Sequence, residues 1–243
     1  MEDEMKKLLL LAFAAICIGI IIPHKVYAVD ISVGATTWYA WWDWELSEKI
    51  DIDPAFLYGP VLSVKFNNDF NLTLVYLYGK FDASAGKETF KLKRKDADLV
   101  LNYSLNDYIK LFVGAKYMSY TFIIPKNPDN DHDGFGPGLG LSSTLPIYEN
   151  LFLLANISYM HLWGKDKRFE GAGSKKTSDY KEYGINSSLS IAYYIAPAST
   201  AINLGGRFQY FKTEYDNDTW KDTYNSKHKF YGITLSATYT FNI

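Results

Sequence analysis

The chain has 243 residues, with 25 Lys and Arg against 27 Asp and Glu, for a net charge of −2. That balance excludes the basic footprint of a nucleic-acid binder, so no nucleic-acid partner is expected. A single cysteine, Cys17, excludes a disulfide framework and a Cys-based metal site.

Lys6 and Lys7 precede an unbroken apolar run from Leu8 to Ile22, and Val26-Tyr27-Ala28 places small residues at the offsets of a cleavage site. A run of about 15 residues is short for a spanning helix, so residues 1–28 are predicted to be a secretory signal peptide. Cys17 follows Ile16 rather than the Gly or Ala of a lipoprotein site. Cleavage would remove the only cysteine and leave the net charge at −2, because three basic and three acidic residues precede Val29. Residues 29–243 are then predicted to form one domain.

Ten strand-like segments follow. The first, 31–45, turns aromatic at its far end with Trp38, Trp41, Trp42 and Trp44. A polar connection, 47–54, leads to 56–66, where Phe56, Tyr58, Leu62 and Val64 alternate with Gly59, Ser63 and Lys65. Asn67-Asn68-Asp69 turns the chain into 70–81. The fourth and fifth segments are 91–104 and 108–122, joined at Asn106-Asp107. A longer loop, 123–134, precedes 135–145, where Gly136, Gly138 and Gly140 share one face. The seventh, 151–163, and eighth, 180–194, flank a Gly- and Lys-rich loop, 165–178. The ninth, 201–212, follows Ala196-Pro197-Ala198, and a polar loop, 213–226, leads to the last.

That last stretch, 230–243, puts Tyr231, Ile233, Leu235, Ala237, Tyr239, Phe241 and Ile243 on one face. Gly232, Thr234, Ser236, Thr238, Thr240 and Asn242 occupy the other. Neither face carries a charge, as for a strand with lipid on one side and a narrow polar interior on the other. Short turns alternate with longer charged connections along the chain, the pattern of an up-and-down membrane barrel. Aromatics fall into two bands. Phe66, Phe70, Tyr103, Tyr148, Tyr193, Tyr239 and Phe241 lie near the short turns. Trp41, Phe56, Tyr78, Tyr117, Trp163, Tyr183, Tyr210 and Tyr231 lie near the long loops, as two girdles would. The expected fold is all-β: an antiparallel up-and-down transmembrane β-barrel of about ten strands.

The terminal strand resembles the C-terminal strand of bacterial outer-membrane β-barrels, although that family usually ends in Phe and this chain ends in Ile243. The chain as a whole resembles the small barrels of the OmpA- and OmpW-like kind, by pattern rather than by a specific motif. The resemblance implies residence in the outer membrane after secretion to the periplasm. It implies contact with outer-membrane lipid and lipopolysaccharide, and recognition by the barrel-assembly machinery through the last strand. It implies no cofactor, and it names no surface partner.

If the apolar face meets lipid, the other face lines the lumen. Lys65, Arg94, Asp96, Asp98, Lys110, Lys116, Glu182 and Arg207 then point inward, with Asn102 and Asn186. Folding the hairpin about Asn106 is predicted to set Asp96 opposite Lys116. Such charges either line a water-filled path or pair with one another and plug it. Ten strands lie close to the size at which side chains fill the interior.

Two further patterns carry chemistry. Asp129-Asn130-Asp131-His132-Asp133-Gly134 matches the first half of a calcium loop, but its twelfth position is Gly140 where a bidentate Glu is needed. An acidic solvated loop is the simpler account of Asp129, Asp131 and Asp133. Outer-membrane proteases of the omptin type also have ten strands and use Asp-His and Asp-Asp pairs at the outer rim. His132, and His228 after a loop bearing Asp216 and Asp218, are the residues that could meet there. No local motif of that family is present. His161 falls on the lipid-facing register, where an amphipathic ring suits the girdle.

Overall fold

The computed structural model describes residues 29–45, 50–86, 88–123, 129–170, 174–216 and 225–242. The predicted signal peptide, residues 1–28, lies outside the described residues, as does Ile243. The strands are β1 (Asp30–Glu45), β2 (Asp51–Ile52), β3 (Ala55–Lys65), β4 (Phe70–Ala85), β5 (Glu88–Ser104) and β6 (Ile109–Ile123). They continue with β7 (Asn130–Tyr148), β8 (Leu151–Glu170), β9 (Ser174–Ile195), β10 (Thr200–Tyr215) and β11 (Ser226–Asn242). β2 and β3 both pair with β4 and act as one interrupted stave. Every stave pairs antiparallel with the next along the chain, and β1 pairs with β11, so ten staves close into a barrel. Closure leaves no unpaired edge, which is what a bilayer demands of strands.

The predicted segments all appear as strands, but the staves run further toward the long loops. β7 starts at Asn130, inside the predicted 123–134 loop, and β8 and β9 take up most of the predicted 165–178 loop. The hydrophobic alternation ends there, but the pairing does not. Inward-facing aromatic and charged side chains, described below, hold these polar extensions together. β9, at 22 residues, is roughly 70 Å long at strand rise, well beyond a membrane crossing.

The short turns have local causes. Asn67 Oδ1 accepts from the backbone N–H of Asp69 and Phe70, both at 2.8 Å. Asn106 Oδ1 does the same for Tyr108 and Ile109. Such Asx turns reverse the chain in few residues. The Ala196–Ala198 turn is a 3₁₀ turn closed by Ser199 in the left-handed region. Both ends of the described barrel, Asp30 and Asn242, are register partners at this short-turn end.

Outward positions carry a belt of exposed apolar residues, among them Val33, Leu62, Leu74, Leu139, Leu189, Leu204 and Leu235. The two predicted girdles border it. Trp41 stacks on Tyr231 with centroids 5.8 Å apart at the long-loop side, and Phe70 meets Tyr103 at 5.0 Å at the other. His161 lies in the upper girdle, 4.8 Å from the Trp163 ring. Beyond the upper girdle the outward residues become charged. Leu204 sits in the belt, so Leu204→Arg is expected to lower unfolding stability in lipid vesicles by about 2–4 kcal/mol, as for cations placed near a bilayer midplane. Lys212→Arg, beyond the girdle, should leave the denaturant midpoint unchanged.

Candidate functional site

The lumen divides into three levels. At the short-turn end is a polar cup of ≈ 360 Å³, walled by small hydroxyl and amide side chains including Thr73, Asn156, Ser188 and Ser236. Lys65 and Lys110 stand at its mouth. Lys65 is exposed and 4.0 Å from Asp30, while Lys110 is half-buried and near enough to Lys65 for the two charges to repel.

The floor of the cup is a buried charge network. Arg94 donates through Nε and Nη2 to the two carboxylate oxygens of Asp96 at 3.0 and 2.8 Å. Nη2 also donates to Gln209 Oε1 at 2.6 Å. Lys116 Nζ reaches Asp98 at 3.0 Å and Asp96 at 3.4 Å. Arg207 donates to Asp98 at 3.0 Å and to Asn186 at 3.0 Å, and Gln209 donates to the same Asn186 oxygen. β5, which carries Arg94, Asp96 and Asp98, lies five staves from β10, which carries Arg207 and Gln209, in either direction round the ring. The bonds therefore span the full diameter. Five of the eight predicted lumen residues meet here.

The predicted hairpin register is off by two: Lys116 stands opposite Asp98, and Asp96 stands opposite Met118. The turn takes residues 105–108 rather than pivoting on Asn106, which moves every pair along by one inward position. Lys116 still contacts both acids because its stem is long enough to reach along the strand.

Above the network lies an aromatic layer, in which parity along β6 marks Tyr120 as inward but leaves the tryptophans and phenylalanines of the other staves unassigned. Trp38, Trp42, Phe81, Leu92, Met118, Tyr120, Phe211 and Phe230 are buried inside the barrel. The Phe230 ring centroid lies 3.6 Å from the Arg94 guanidinium carbon, a cation–π contact in a dry setting. Trp42 packs on Phe230 at 4.9 Å, on Tyr120 at 5.0 Å and on Phe81 at 5.4 Å. The signal was strand parity: Trp38, Trp42 and Trp44 share the face opposite to Tyr39 and Trp41. Glycines make room for this filling. A Cβ on Gly164 would fall 2.1 Å from the Tyr180 ring, and one on Gly140 would fall 2.4 Å from the Phe112 ring.

At the long-loop rim, inside the staves, Asp166 gathers a third cluster. It accepts from Arg168 at 3.0 and 2.9 Å, from Tyr215 at 2.5 Å and from His132 Nδ1 at 3.2 Å. His132 Nε2 points at Glu182 from 3.7 Å, and its ring stacks on Tyr180 with centroids 3.9 Å apart. Glu182, predicted as a lumen residue, is fully buried here rather than in the floor network. Burial alone would push the His132 imidazole down, but bonds to Asp166 and Glu182 push it up to about 9. The neighbouring charges Asp131 and Asp133 face outward, which sets this cluster beyond the girdle.

Asp131 and Asp133 are strand residues opposite Lys167 and Lys165, and Asp133 accepts from Tyr117 OH at 3.1 Å. The solvated acidic loop expected for Asp129, Asp131 and Asp133 is thus corrected to strand from Asn130. The segment extends as strand from Asn130, so its carboxylates cannot fold round one centre. Asp129 is exposed just before the strand. Asp216 pairs outside with Lys181 at 3.2 Å, and Asp218 lies outside the described residues.

His132 and His228 flank Tyr120, at 5.4 and 5.7 Å between ring centroids. Neither is set up as a general base. His132 is already protonated at neutral pH by its two carboxylates. His228 Nδ1 accepts from Trp42 Nε1 at 3.3 Å, so the neutral ring carries its proton on Nε2 and donates it to Ser226 Oγ at 3.1 Å. Burial, with His132 and Arg94 nearby, holds His228 well below its ordinary value and therefore neutral.

The raised His132 value has a pH consequence. Its stabilisation is full below the unfolded value near 6.5 and is lost as pH rises through about 9. Wild type should lose on the order of a few kcal/mol more than His132→Gln between pH 6 and 10, read from denaturant unfolding. In the floor network, Asp96→Ala strands Arg94 and is expected to cost about 3–5 kcal/mol in the same assay.

No family model matches the sequence, and no curated protein matches it. Among solved structures, the outer membrane protease OmpT from Escherichia coli aligns with a TM-score of 0.53 at 11% identity, covering 91% of this chain and 99% of that one. The β domain of the Bordetella autotransporter BrkA aligns at 0.49 and 9% identity, over 89% of this chain and 100% of that one. OprG from Pseudomonas aeruginosa aligns at 0.36 and 14% identity, over 88% and 97%. At such identities the likeness is one of fold: the chain has the closed antiparallel β-barrel fold of bacterial outer-membrane proteins.

Proposed function

We propose that this protein is a non-enzymatic outer-membrane β-barrel whose lumen is closed at rest and whose outer rim is its working surface. The observation that carries the reading is the filled outer half. A network joins opposite staves, with an aromatic layer directly above it. Ten strands enclose only slightly more than side chains can fill. Polar residues in the lower half make a dead-end cup rather than a path. Both described chain ends lie at the short-turn end, which supports reading that end as periplasmic and the long-loop rim as exterior.

The alternatives read from the sequence fare less well. A narrow pore needs a continuous water column past Arg94, Trp42 and Tyr120, all of which are buried. A rim hydrolase needs an accessible base and a nucleophile. The two inward-facing histidines have their proton positions fixed by Asp166 and Trp42, and His228 donates to Ser226 rather than accepting from it. The Asp166–His132 pair resembles part of a catalytic set in composition only.

Planar-bilayer recording tests this. Wild type should give no conductance steps above baseline. The double variant Trp42→Ala and Arg94→Ala, which empties the centre of both layers, should give small steps if it inserts. Regular steps from wild type would overturn the closed-lumen reading.

A further inference from the structure

Just beyond the upper girdle the outward faces are charged, and most of those charges are matched. Lys91 lies 3.4 Å from Asp82, Lys181 lies 3.2 Å from Asp216, Lys212 lies 2.6 Å from Glu214, and Lys227 lies 3.5 Å from Glu45. Lys229 also pairs with Glu45. Lys165 and Lys167 stand opposite Asp133 and Asp131.

One sector of the wall breaks this rule. Lys80 on β4 is the direct register partner of Lys93 on β5, and Lys95 follows two residues on along the same face. Like charges directly opposite are destabilising. Among the described residues none of the three has an acid within ion-pair distance. On β6, Thr121 stands opposite Lys93, and the buried Ser119 stands opposite Lys95. Directly below come Tyr78, the register partner of Lys95, then the exposed apolar wall of Leu74, Tyr76 and Tyr58.

We infer that Lys80, Lys93 and Lys95 form a phosphate-binding site for a phosphorylated lipid of the outer leaflet, whose acyl chains lie on the apolar wall beneath. Three ammonium groups at headgroup depth, with the half-buried Thr121 hydroxyl beside them, match a phosphate in charge and donors. The apolar wall directly below separates a lipid from a free anion. A phosphate bridging the facing lysines relieves their repulsion, so the site favours occupancy. The inference rests on the outer-membrane assignment but not on the closed lumen, so conductance in wild type would leave it standing.

The test uses the folded barrel in phosphatidylcholine nanodiscs. The probes are a bis-phosphorylated lipid A and its dephosphorylated counterpart, with retention read by native mass spectrometry. Wild type should retain the phosphorylated form at least about tenfold better, since each surface lysine contributes roughly fivefold toward an anionic lipid. K80Q/K93Q/K95Q should lose that preference, and K181Q/K212Q/K229Q should keep it. Single K93Q, expected to lose about fivefold, serves if the triple variant does not fold. Equal retention by wild type and K80Q/K93Q/K95Q, or equal loss in both triple variants, would overturn the site. Displacement of the lipid by inorganic phosphate at matched concentration would overturn the lipid as occupant.

Discussion

Across the middle of the barrel, β5 and β10 are joined by side chains rather than by backbone. Arg94 holds Asp96 in a two-point grip and reaches Gln209, and Asp98 receives Arg207 from the far wall. A closed sheet has hydrogen bonds round its circumference, but nothing in the ladder fixes its cross-section. These bonds fix it. They also commit the protein, because buried charges deprived of a partner are costly while paired ones are tolerated. Three cations and two carboxylates share Asn186 and Gln209 as neutral connectors, and Lys116 bridges both acids.

The other lumen features follow from that crossing. Below it Ser, Thr and Asn share the wall with Val61, Val75, Val100 and Phe112, and a cup remains. Above it the guanidinium presents a face on which Phe230 can lie, and Trp42, Tyr120 and Phe81 stack outward from there. Burying each such ring contributes about 1.5–3 kcal/mol. The staves beyond the girdle lack an apolar outer face to hold them in lipid. They stay in register because Asp166, with His132, Arg168 and Tyr215, links β7, β8 and β10 from within. Outside and inside are thus stabilised by different forces at different heights: lipid around the belt, side-chain bonding above it.

The barrel was legible in the sequence because period-2 alternation is a local property that survives without knowledge of partners. Lys65, Arg94, Asp96, Asp98, Lys110, Lys116, Glu182 and Arg207 were assigned inward on parity alone, and parity holds along an unbroken strand. What depended on distance was lost. The Asp96–Lys116 register shifts by two residues because the turn takes four residues, although the two side chains still form an ion pair. Asp129 to Gly134 looked like a loop since its acids and Gly resemble turn chemistry, whereas His132 between them faces inward to Asp166 and Glu182. β11 reads from its sequence as a strand with two uncharged faces, yet its long-loop end sends Phe230 and His228 inward into the filling, and only the packing of β1 against β11 exposes that role.

The central claim is that the cup opens to one side only. Ser236, half-buried in the cup wall on β11, reports on this directly. With Cys17 replaced by Ser, Ser236→Cys in oriented vesicles should react with a membrane-impermeant thiol reagent added at the short-turn face. It should stay unlabelled when the reagent is added at the long-loop face. Equal labelling from both faces would mean that water passes the Arg94–Trp42 levels and would contradict the account.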